Sequence, residues 1–166
     1  MEKINMELQG SCHCQSVQFS CQTHTPYPYM RCYCSICRKT AGGGGYAINI
    51  MALAKSLKVK GDDSISIYQA RITSNNHSEV SSARRHFCRH CGSCLWISDP
   101  NWPELIHPFA SIIDTPLPKA PQTIHMMLEY AANWCEIPQG TKEIHYKEYP
   151  PLSIEEWHKQ NNLWVE

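Results

Sequence analysis

Apolar and polar residues alternate over several short stretches of the chain, which is the pattern of half-buried β-strands. In the clearest case, Val17 and Phe19 alternate with polar neighbours. Turn-forming residues separate these stretches, including Gly-Asp-Asp at 61–63 and Asn-Asn at 75–76. The strands predicted from these patterns are Gln15–Cys21, Tyr46–Met51, Ser64–Gln69, Arg84–Cys88, Leu95–Ser98, Ile106–Asp114 and Thr123–Glu129.

One helix is predicted near the end of the chain. Ser153 followed by Glu156 is a capping-box pattern. It opens the segment Ile154–Gln160, in which Ile154 and Trp157 are expected to face the core. We therefore predict a mainly-β fold of many short strands with a short C-terminal helix.

Length and charge narrow the function classes. The 166 residues suit one compact domain, with two domains as the alternative. The formal net charge is zero and no basic run is present, so nothing favours nucleic-acid binding. No apolar run approaches the roughly 20 residues that span a bilayer, and MEKINMELQG lacks the apolar core of a signal peptide. We therefore expect no membrane partner and a cytoplasmic, reducing location.

Ten cysteines change this picture. A disulfide framework and a metal site are the two explanations for so many. Disulfides are rare in a reducing compartment, and close C-x-C and C-x-x-C spacings suit metal binding better than structural bridges. We therefore predict that the clustered cysteines bind metal, and a thiolate-rich site most often holds zinc.

Two cysteine pairs together supply four thiolates. Cys12 and Cys14 are expected on the same side of an extended segment, since alternate residues of a strand share a face. Cys88 and Cys91 have the spacing of a zinc knuckle, and Gly92 permits the tight turn that follows. Four sulfurs are enough for a closed tetrahedral zinc site. A metal that joins pairs so distant in sequence would contribute its binding energy to folding.

Cys32, Cys34 and Cys37 place three more thiolates in one short loop. Three protein ligands and one open position are typical of a catalytic or labile zinc. Arg38 and Lys39 follow immediately. They would offset the thiolate charge or attract an anionic substrate, or they form an ordinary solvated surface pair.

The division into four and three cysteines has alternatives. Cys94 lies one knuckle spacing after Cys91 and would compete as a ligand. His86 and His90 lie beside the knuckle and are further candidate ligands. The glycine run at 42–45 is either a loop that lets a ligand approach the backbone closely or a loose connection.

At these residues the chain resembles the glutathione-dependent formaldehyde-activating enzyme family, also called the CENP-V/GFA domain family. The resemblance covers roughly residues 8–140, and the order of its cysteines is its most specific part. The matching segments are GSCHCQSVQF at 10–19, CYCSICRKTAG at 32–42, RHFCRHCGSCLW at 85–96, IHPFASIIDTP at 106–116 and HMMLEYAANWCEI at 125–137.

The resemblance implies an Mss4-like fold of several coiled antiparallel β-sheets stapled by zinc. It implies one zinc domain over residues 1–166, with a core at about 8–140 and a C-terminal extension over 141–166. It also implies two zinc ions per chain. The implied ligands are Cys12, Cys14, Cys88 and Cys91 for a structural zinc, and Cys32, Cys34 and Cys37 for a second, open zinc.

The family's named reaction joins formaldehyde to glutathione and is classed with the carbon–sulfur lyases. By resemblance, this chain would be an enzyme like S-(hydroxymethyl)glutathione synthase, with a thiol such as glutathione as its small-molecule partner. The chain departs from the family pattern at two positions. Tyr33 stands where histidine is common, and Cys94 stands where proline is common. Neither departure removes a ligand.

Two other function classes stay open. The chain would alternatively be a non-catalytic zinc module that binds a protein partner, with the second cysteine group in a structural role. It would also suit a redox enzyme that uses Cys94 or another free thiol. A lowered thiol pKa would mark a redox cysteine.

The remaining notable residues are predicted to be structural. Cys21 and Cys135 are expected to be small buried apolar residues. His107 and His125 lie in strand-like segments and are expected to be satisfied core or surface residues. Three tryptophans are expected to pack in the core, and one of them can line a pocket: Trp96, Trp102 and Trp134.

Overall fold

Short β-strands make up most of the regular structure, as the alternation of apolar and polar residues predicts. The computed structural model describes residues 6–166. The two helices in this range are α1 (Ser35–Ala41) and α2 (Ile154–Gln160). The strands are β1 (Met6–Ser11), β2 (Gln18–Thr23), β3 (Met30–Cys32), β4 (Ala47–Ile48), β5 (Ala52–Leu53), β6 (Lys58–Lys60), β7 (Ile65–Tyr68), β8 (Arg71–Ser74), β9 (His77–Val80), β10 (Arg84–Cys88), β11 (Cys94–Ser98), β12 (Leu105–Pro108), β13 (Thr123–Met126) and β14 (Glu143–His145).

The strands form three sheets and one separate hairpin. The first sheet has the order β1-β2-β6 and the second has the order β5-β12-β11-β10-β7, and both are antiparallel throughout. The hairpin β8–β9 turns at the predicted Asn75-Asn76 pair, where both residues have positive φ. The third sheet has the order β14-β13-β3-β4. In it β13 runs parallel to both neighbours, which the sequence pattern does not indicate.

Several predicted strands exist but have different bounds. The strand predicted at Gln15–Cys21 begins only at Gln18, because the preceding residues form a turn. The strand predicted at Tyr46–Met51 is split between the two short strands β4 and β5. The one predicted at Ile106–Asp114 ends at Pro108 and is followed by a 3₁₀ turn. These differences between predicted and observed bounds have the same cause. Hydrophobic periodicity continues through tight turns, and these turns interrupt the strand hydrogen bonds.

Two hydrophobic cores hold these sheets together. The first lies between the first two sheets and includes Leu8, Phe19 and Trp96. The second lies beside the third sheet and includes Ile124 and Trp157. Burying a large apolar side chain contributes roughly 1.5–3 kcal/mol, so each core contributes substantially to stability.

The C-terminal helix α2 has the bounds and the cap that the sequence predicts. The Ser153 hydroxyl accepts a hydrogen bond from the Glu156 N–H at 3.2 Å. The Glu156 carboxylate accepts one from the Ser153 N–H at 2.8 Å. Ile154 and Trp157 are buried as expected, and Trp157 stacks on Tyr29 with ring centroids 3.7 Å apart. The helix therefore packs beside the chain segment that leads into β3.

No helix within residues 6–166 is both long and apolar enough to cross a membrane.

Candidate metal centres

The sulfurs of Cys12, Cys14, Cys88 and Cys91 converge, and we call this group the first cluster. Cys12 Sγ lies 3.6 Å from Cys14 Sγ, which lies 3.7 Å from Cys88 Sγ. All four sulfurs lie within 4.8 Å of one another. A tetrahedral zinc ion with Zn–S bonds of about 2.3 Å has sulfur–sulfur separations of about 3.8 Å. The first cluster can therefore hold a metal ion with little rearrangement.

A tight turn, rather than an extended strand, brings Cys12 and Cys14 together. The expectation of an extended segment is wrong, because both residues lie in the turn between β1 and β2. The Gln15 N–H donates to the Cys12 carbonyl at 3.0 Å, and the Val17 N–H donates to Cys12 Sγ at 3.2 Å. The turn thus directs both sulfurs to one side and gives one of them a backbone donor.

The predicted knuckle supplies the other half of the first cluster. Cys88 ends β10, and the Gly92 N–H donates to the Cys88 carbonyl at 2.8 Å. Gly92 has a φ of +76°, a left-handed conformation that favours glycine. The Ser93 hydroxyl accepts from the His13 N–H at 3.1 Å. This contact ties the knuckle to the turn that carries the first two cysteines.

The thiols of the first cluster differ widely in their pKa values. Cys12 is buried, and burial raises its pKa to about 11. Cys91 is exposed, and the hydrogen bond with the Ser93 hydroxyl at 3.2 Å lowers its pKa to about 5. A bound divalent cation removes the cost of a buried thiolate, because it takes all four ligands in the deprotonated form.

The sulfurs of Cys32, Cys34 and Cys37 form the second cluster, at the junction of β3 and α1. Cys32 ends β3, Cys34 precedes the first residue of α1 and Cys37 lies in the first turn of that helix. Cys34 has an extended backbone, and its Sγ accepts from the Cys37 N–H at 3.3 Å. All three sulfurs lie within 4.8 Å of one another. The start of a helix that was not predicted therefore brings the third sulfur onto the other two.

The surroundings of the second cluster favour negative charge at Cys34, whereas the pKa values of Cys32 and Cys37 are raised by their hydrogen bonds within the cluster and by burial. The Cys32 and Cys37 thiols donate hydrogen bonds to Cys34, which holds the pKa of Cys34 well below its usual range. Arg85 is only 8% exposed, and its Nη2 donates to Cys37 Sγ at 3.7 Å. A buried guanidinium next to these sulfurs offsets part of their charge.

The two clusters differ in the number of ligands that they offer. The first contains four cysteines, whereas the second contains three. Across residues 6–166, no additional histidine, cysteine or carboxylate completes the second group. A tetrahedral ion bound by these three sulfurs would therefore have one position left for a further ligand.

The alternative histidine ligands lie in neither cluster. His86 Nε2 is 3.1 Å from Ser98 Oγ, and the His86 ring stacks on Trp96. His90 Nε2 is 3.2 Å from Ser64 Oγ. Both rings thus have protein partners elsewhere.

Cys94 also lies outside both clusters. Its thiol donates to the Thr40 carbonyl at 2.7 Å. Burial raises the pKa of Cys94, although the charge of Arg85 acts in the opposite direction. The lowered pKa that would mark a redox cysteine is therefore not present at Cys94.

Arg38 and Lys39 line a surface cavity of about 390 Å³ between α1 and the knuckle. Gly92 and Cys94 also line it. The buried Arg38 Nε has no hydrogen-bond partner among the described residues. The cavity therefore has two cationic side chains in its lining, one of which carries a buried nitrogen without a partner.

The glycine run beside the second cluster is constrained at its two ends, Gly42 and Gly45, whereas a Cβ at Gly43 would contact nothing. Gly45 has a φ of +96°, and a Cβ at this position would lie 2.7 Å from Cys135 Sγ. The Gly45 N–H donates to the Gly42 carbonyl at 3.1 Å. Glycine is therefore required at position 45 by both backbone conformation and space.

The predictions for the other cysteines and tryptophans hold only in part. Cys21 and Trp96 are buried as expected. Trp134 is 62% exposed, so the expectation that it packs in the core is wrong. Cys135 is only partly buried, because it contacts a surface turn. Trp102 is also partly buried and packs edge-on against His107.

Sequence reasoning missed some of the residues around the second cluster. Arg85 and Phe87 share a face of β10, so a charged residue stands where an apolar one would continue the pattern of that face. This irregularity was the sequence signal that could have identified Arg85. His125 is buried with both ring nitrogens bonded, as expected of a satisfied core histidine. Its partners, Tyr33 and Glu143, carried no local signal, since they lie far away in sequence.

Comparisons with known proteins agree with the geometry. The sequence profile of the family described as glutathione-dependent formaldehyde-activating enzyme matches residues 7–129, a range that contains both clusters. A Halomonas elongata protein, provisionally named a glutathione-dependent formaldehyde-activating enzyme, is 51% identical over 158 residues. That alignment covers 95% of this chain and 98% of the relative.

A solved structure is also similar. The crystal structure of a Rhodobacter sphaeroides protein aligns with a TM-score of 0.50 and 27% identity. The alignment covers 68% of this chain and 92% of that chain. From the profile match and the extent of identity to the Halomonas relative, the chain belongs to the glutathione-dependent formaldehyde-activating enzyme family.

Proposed function

We propose that this chain is a zinc enzyme of the carbon–sulfur lyase class that joins a thiol, such as glutathione, to formaldehyde or a related aldehyde. The observation that supports this most directly is the contrast between four sulfurs in the first cluster and three in the second. Closed four-ligand sites are structural, and three-ligand sites leave room for substrate. In this proposal each chain carries two zinc ions, and the second cluster is the reaction site.

The reaction is an addition without oxidation or reduction. The thiol sulfur forms a bond to the aldehyde carbon, the C=O π bond breaks, and the thiol proton ends on the former carbonyl oxygen. Zinc at the second cluster would lower the pKa of a bound thiol, so that the thiolate is the nucleophile. Thiols add to formaldehyde without a catalyst. The main contribution of the protein is therefore to position the two reactants.

Residues around the second cluster have distinct roles in this proposal. Cys32, Cys34 and Cys37 hold the metal. Arg85 contacts Cys37 Sγ and offsets the charge of three thiolates and a fourth from the substrate. The cavity beside Lys39 accepts the carboxylates of an anionic thiol such as glutathione. The family and the name of the Halomonas relative support glutathione and formaldehyde as the substrates.

The location and organisation belong to the same proposal. A cytoplasmic location would keep the cysteines reduced and supply a thiol substrate. One zinc domain over residues 1–166 would place the reaction site and its C-terminal surroundings in one unit.

The direct test measures the rate of S-(hydroxymethyl)glutathione formation by exchange NMR under reducing conditions. The wild-type protein with two zinc ions should accelerate the exchange above the uncatalysed rate. Cys34→Ser should return it to the uncatalysed rate. A wild-type protein with both sites filled and no acceleration for glutathione or other thiols would contradict the proposal.

A second candidate is a non-catalytic zinc module that binds a protein partner. It is favoured by the exposed apolar side chains around β7 and the hairpin β8–β9. Those residues are Ile67, Tyr68, Ile72 and Val80, each at least 42% exposed. The exchange experiment separates the two candidates, since a binding module would leave the exchange rate at the uncatalysed value.

A further inference from the structure

A buried chain of three polar side chains crosses the third sheet next to the second cluster. The Tyr33 hydroxyl lies 2.7 Å from His125 Nδ1, and His125 Nε2 lies 2.6 Å from a Glu143 carboxylate oxygen. Tyr33 and His125 are fully buried, and the Glu143 side chain is 24% exposed. These three side chains thus link the loop after β3 to β13 and then to β14.

The protons of this chain follow from its chemistry. The His125 hydrogen bond lowers the pKa of Glu143, so the carboxylate is ionised and only accepts hydrogen bonds. Burial lowers the pKa of His125, so its ring is neutral at neutral pH. The one ring N–H is therefore on Nε2 and donates to Glu143. Nδ1 then accepts from the Tyr33 hydroxyl, and every member of the chain is paired.

Tyr33 is the residue between two members of the second cluster, Cys32 and Cys34. Its backbone N–H donates to the Met126 carbonyl at 3.1 Å. Cys32 also pairs with Met126 in the parallel register of β3 and β13. Both ends of the tyrosine, backbone and hydroxyl, are therefore held by β13. A shift of this residue would move the two flanking sulfurs relative to Cys37 on α1.

We propose that Tyr33, His125 and Glu143 are positioning residues that hold the cysteines of the second cluster in their metal-binding arrangement. This inference rests on the part of the proposed function that places a metal at the second cluster. Glu143 lies beyond residue 129, where the family profile match ends. The C-terminal part of this chain thus takes part in the geometry of the second centre without supplying a ligand.

A matched pair of tyrosine variants provides the test. Tyr33→Phe removes the hydroxyl that anchors the loop. Tyr29→Phe removes another buried hydroxyl two residues before Arg31, and this hydroxyl has no hydrogen-bond partner among residues 6–166. Both substitutions keep the aromatic ring and remove one oxygen atom. They therefore differ in whether a hydrogen bond is lost.

The readout is metal binding at each cluster, measured by competition with a chromophoric chelator under reducing conditions. Zinc gives the affinities, and cobalt(II) gives the absorption bands of each site. Cys34→Ser protein, which keeps only the first cluster intact, assigns the signals. Tyr33→Phe should weaken metal binding at the second cluster by about tenfold, which is the lower end of the range for outer-sphere partners. It should also change the cobalt bands of that site, whereas Tyr29→Phe should change neither.

A second pair of variants tests the carboxylate end of the three hydrogen-bonded side chains. Glu143→Gln keeps an oxygen that accepts from His125 Nε2, and Glu143→Leu removes it. We expect metal affinity at the second cluster to stay within about threefold of wild type for the first variant. It should fall about tenfold for the second variant. Position 143 is partly exposed and lies outside both clusters, so this pair tests the inference independently of whether Tyr33→Phe folds.

The outcomes separate positioning from general stabilisation. Equal losses of metal affinity at both clusters would mean that the three hydrogen-bonded side chains support only the fold. Unchanged affinity at the second cluster would mean that they do not position its cysteines. Either result overturns the inference. A wild-type protein that binds two metal ions, responds to the variants as expected and shows no thiol–aldehyde activity would contradict the proposed function and leave this inference intact.

Discussion

Replacing Cys34 with serine should remove the second metal centre while the fold remains. The three sulfurs of the second cluster lie within one strand–helix junction, so a metal there orders only a local segment. The first cluster instead joins Cys14 to Cys88, which is 74 positions away. We therefore expect Cys34→Ser to bind one zinc ion, to unfold cooperatively and to lose thiol–aldehyde activity.

The size of the effect on α1 follows from the cap. Cys34 Sγ accepts from the Cys37 N–H at 3.3 Å, and a serine hydroxyl can accept from the same donor. Cys34→Ala loses both the metal ligand and the cap, which costs about 1 kcal/mol. For a chain of this size that difference corresponds to about 2–4 °C in Tm. Since both variants lack the second metal, their difference isolates the contribution of the cap.

The measurements are zinc per chain by elemental analysis and thermal unfolding by circular dichroism, at equal free zinc. Cys88→Ser is the control for loss of the first cluster and should not fold cooperatively. Retention of two zinc ions by Cys34→Ser would refute the assignment of the second site. Unfolding of Cys34→Ser like Cys88→Ser would refute the division between structural and open sites.

Three further predictions test the packing, the metal and the pH dependence. Trp157→Ala should lower the free energy of unfolding by about 3–5 kcal/mol, because the buried indole stacks on Tyr29; a loss below about 1 kcal/mol in urea unfolding would contradict this. Removal of metal by a strong chelator under reducing conditions should abolish the near-ultraviolet circular dichroism, and an unchanged spectrum would show that the first cluster is not needed for folding. Burial lowers the pKa of His107 to about 4, whereas the unfolded chain takes up this proton near pH 6.5. The stability that neutral His107 confers is therefore complete above about pH 6.5 and is lost as the pH falls towards 4. Between pH 6.5 and pH 4, the free energy of unfolding of His107→Gln should therefore fall by up to about 3 kcal/mol less than that of wild type. Parallel curves of stability against pH for the two proteins would contradict the assignment of this pKa to His107.

Local patterns in the sequence were enough for the parts of the fold that depend on near neighbours. The helix α2 was predictable because its capping box and apolar positions all lie within eight residues. The strand β10 also has the bounds that the sequence predicts, although its buried Arg85 breaks the apolar alternation. By contrast, α1 has a cysteine as its cap and no acidic residue in its first turn, so no standard signal marked it. Its start depends on the Cys37 N–H finding a sulfur acceptor.

The sequence by itself determined that this chain carries two groups of cysteines at metal-ligand spacing and folds mainly into β-structure. Both conclusions depend on residues a few positions apart, whose relative placement the backbone restricts strongly. Only the tertiary structure decided that β13 lies parallel to β3, and that Tyr33 therefore meets His125, 92 positions away. It also placed Arg85 against Cys37. Such contacts depend on how separate elements pack, and no local pattern of side chains encodes that choice.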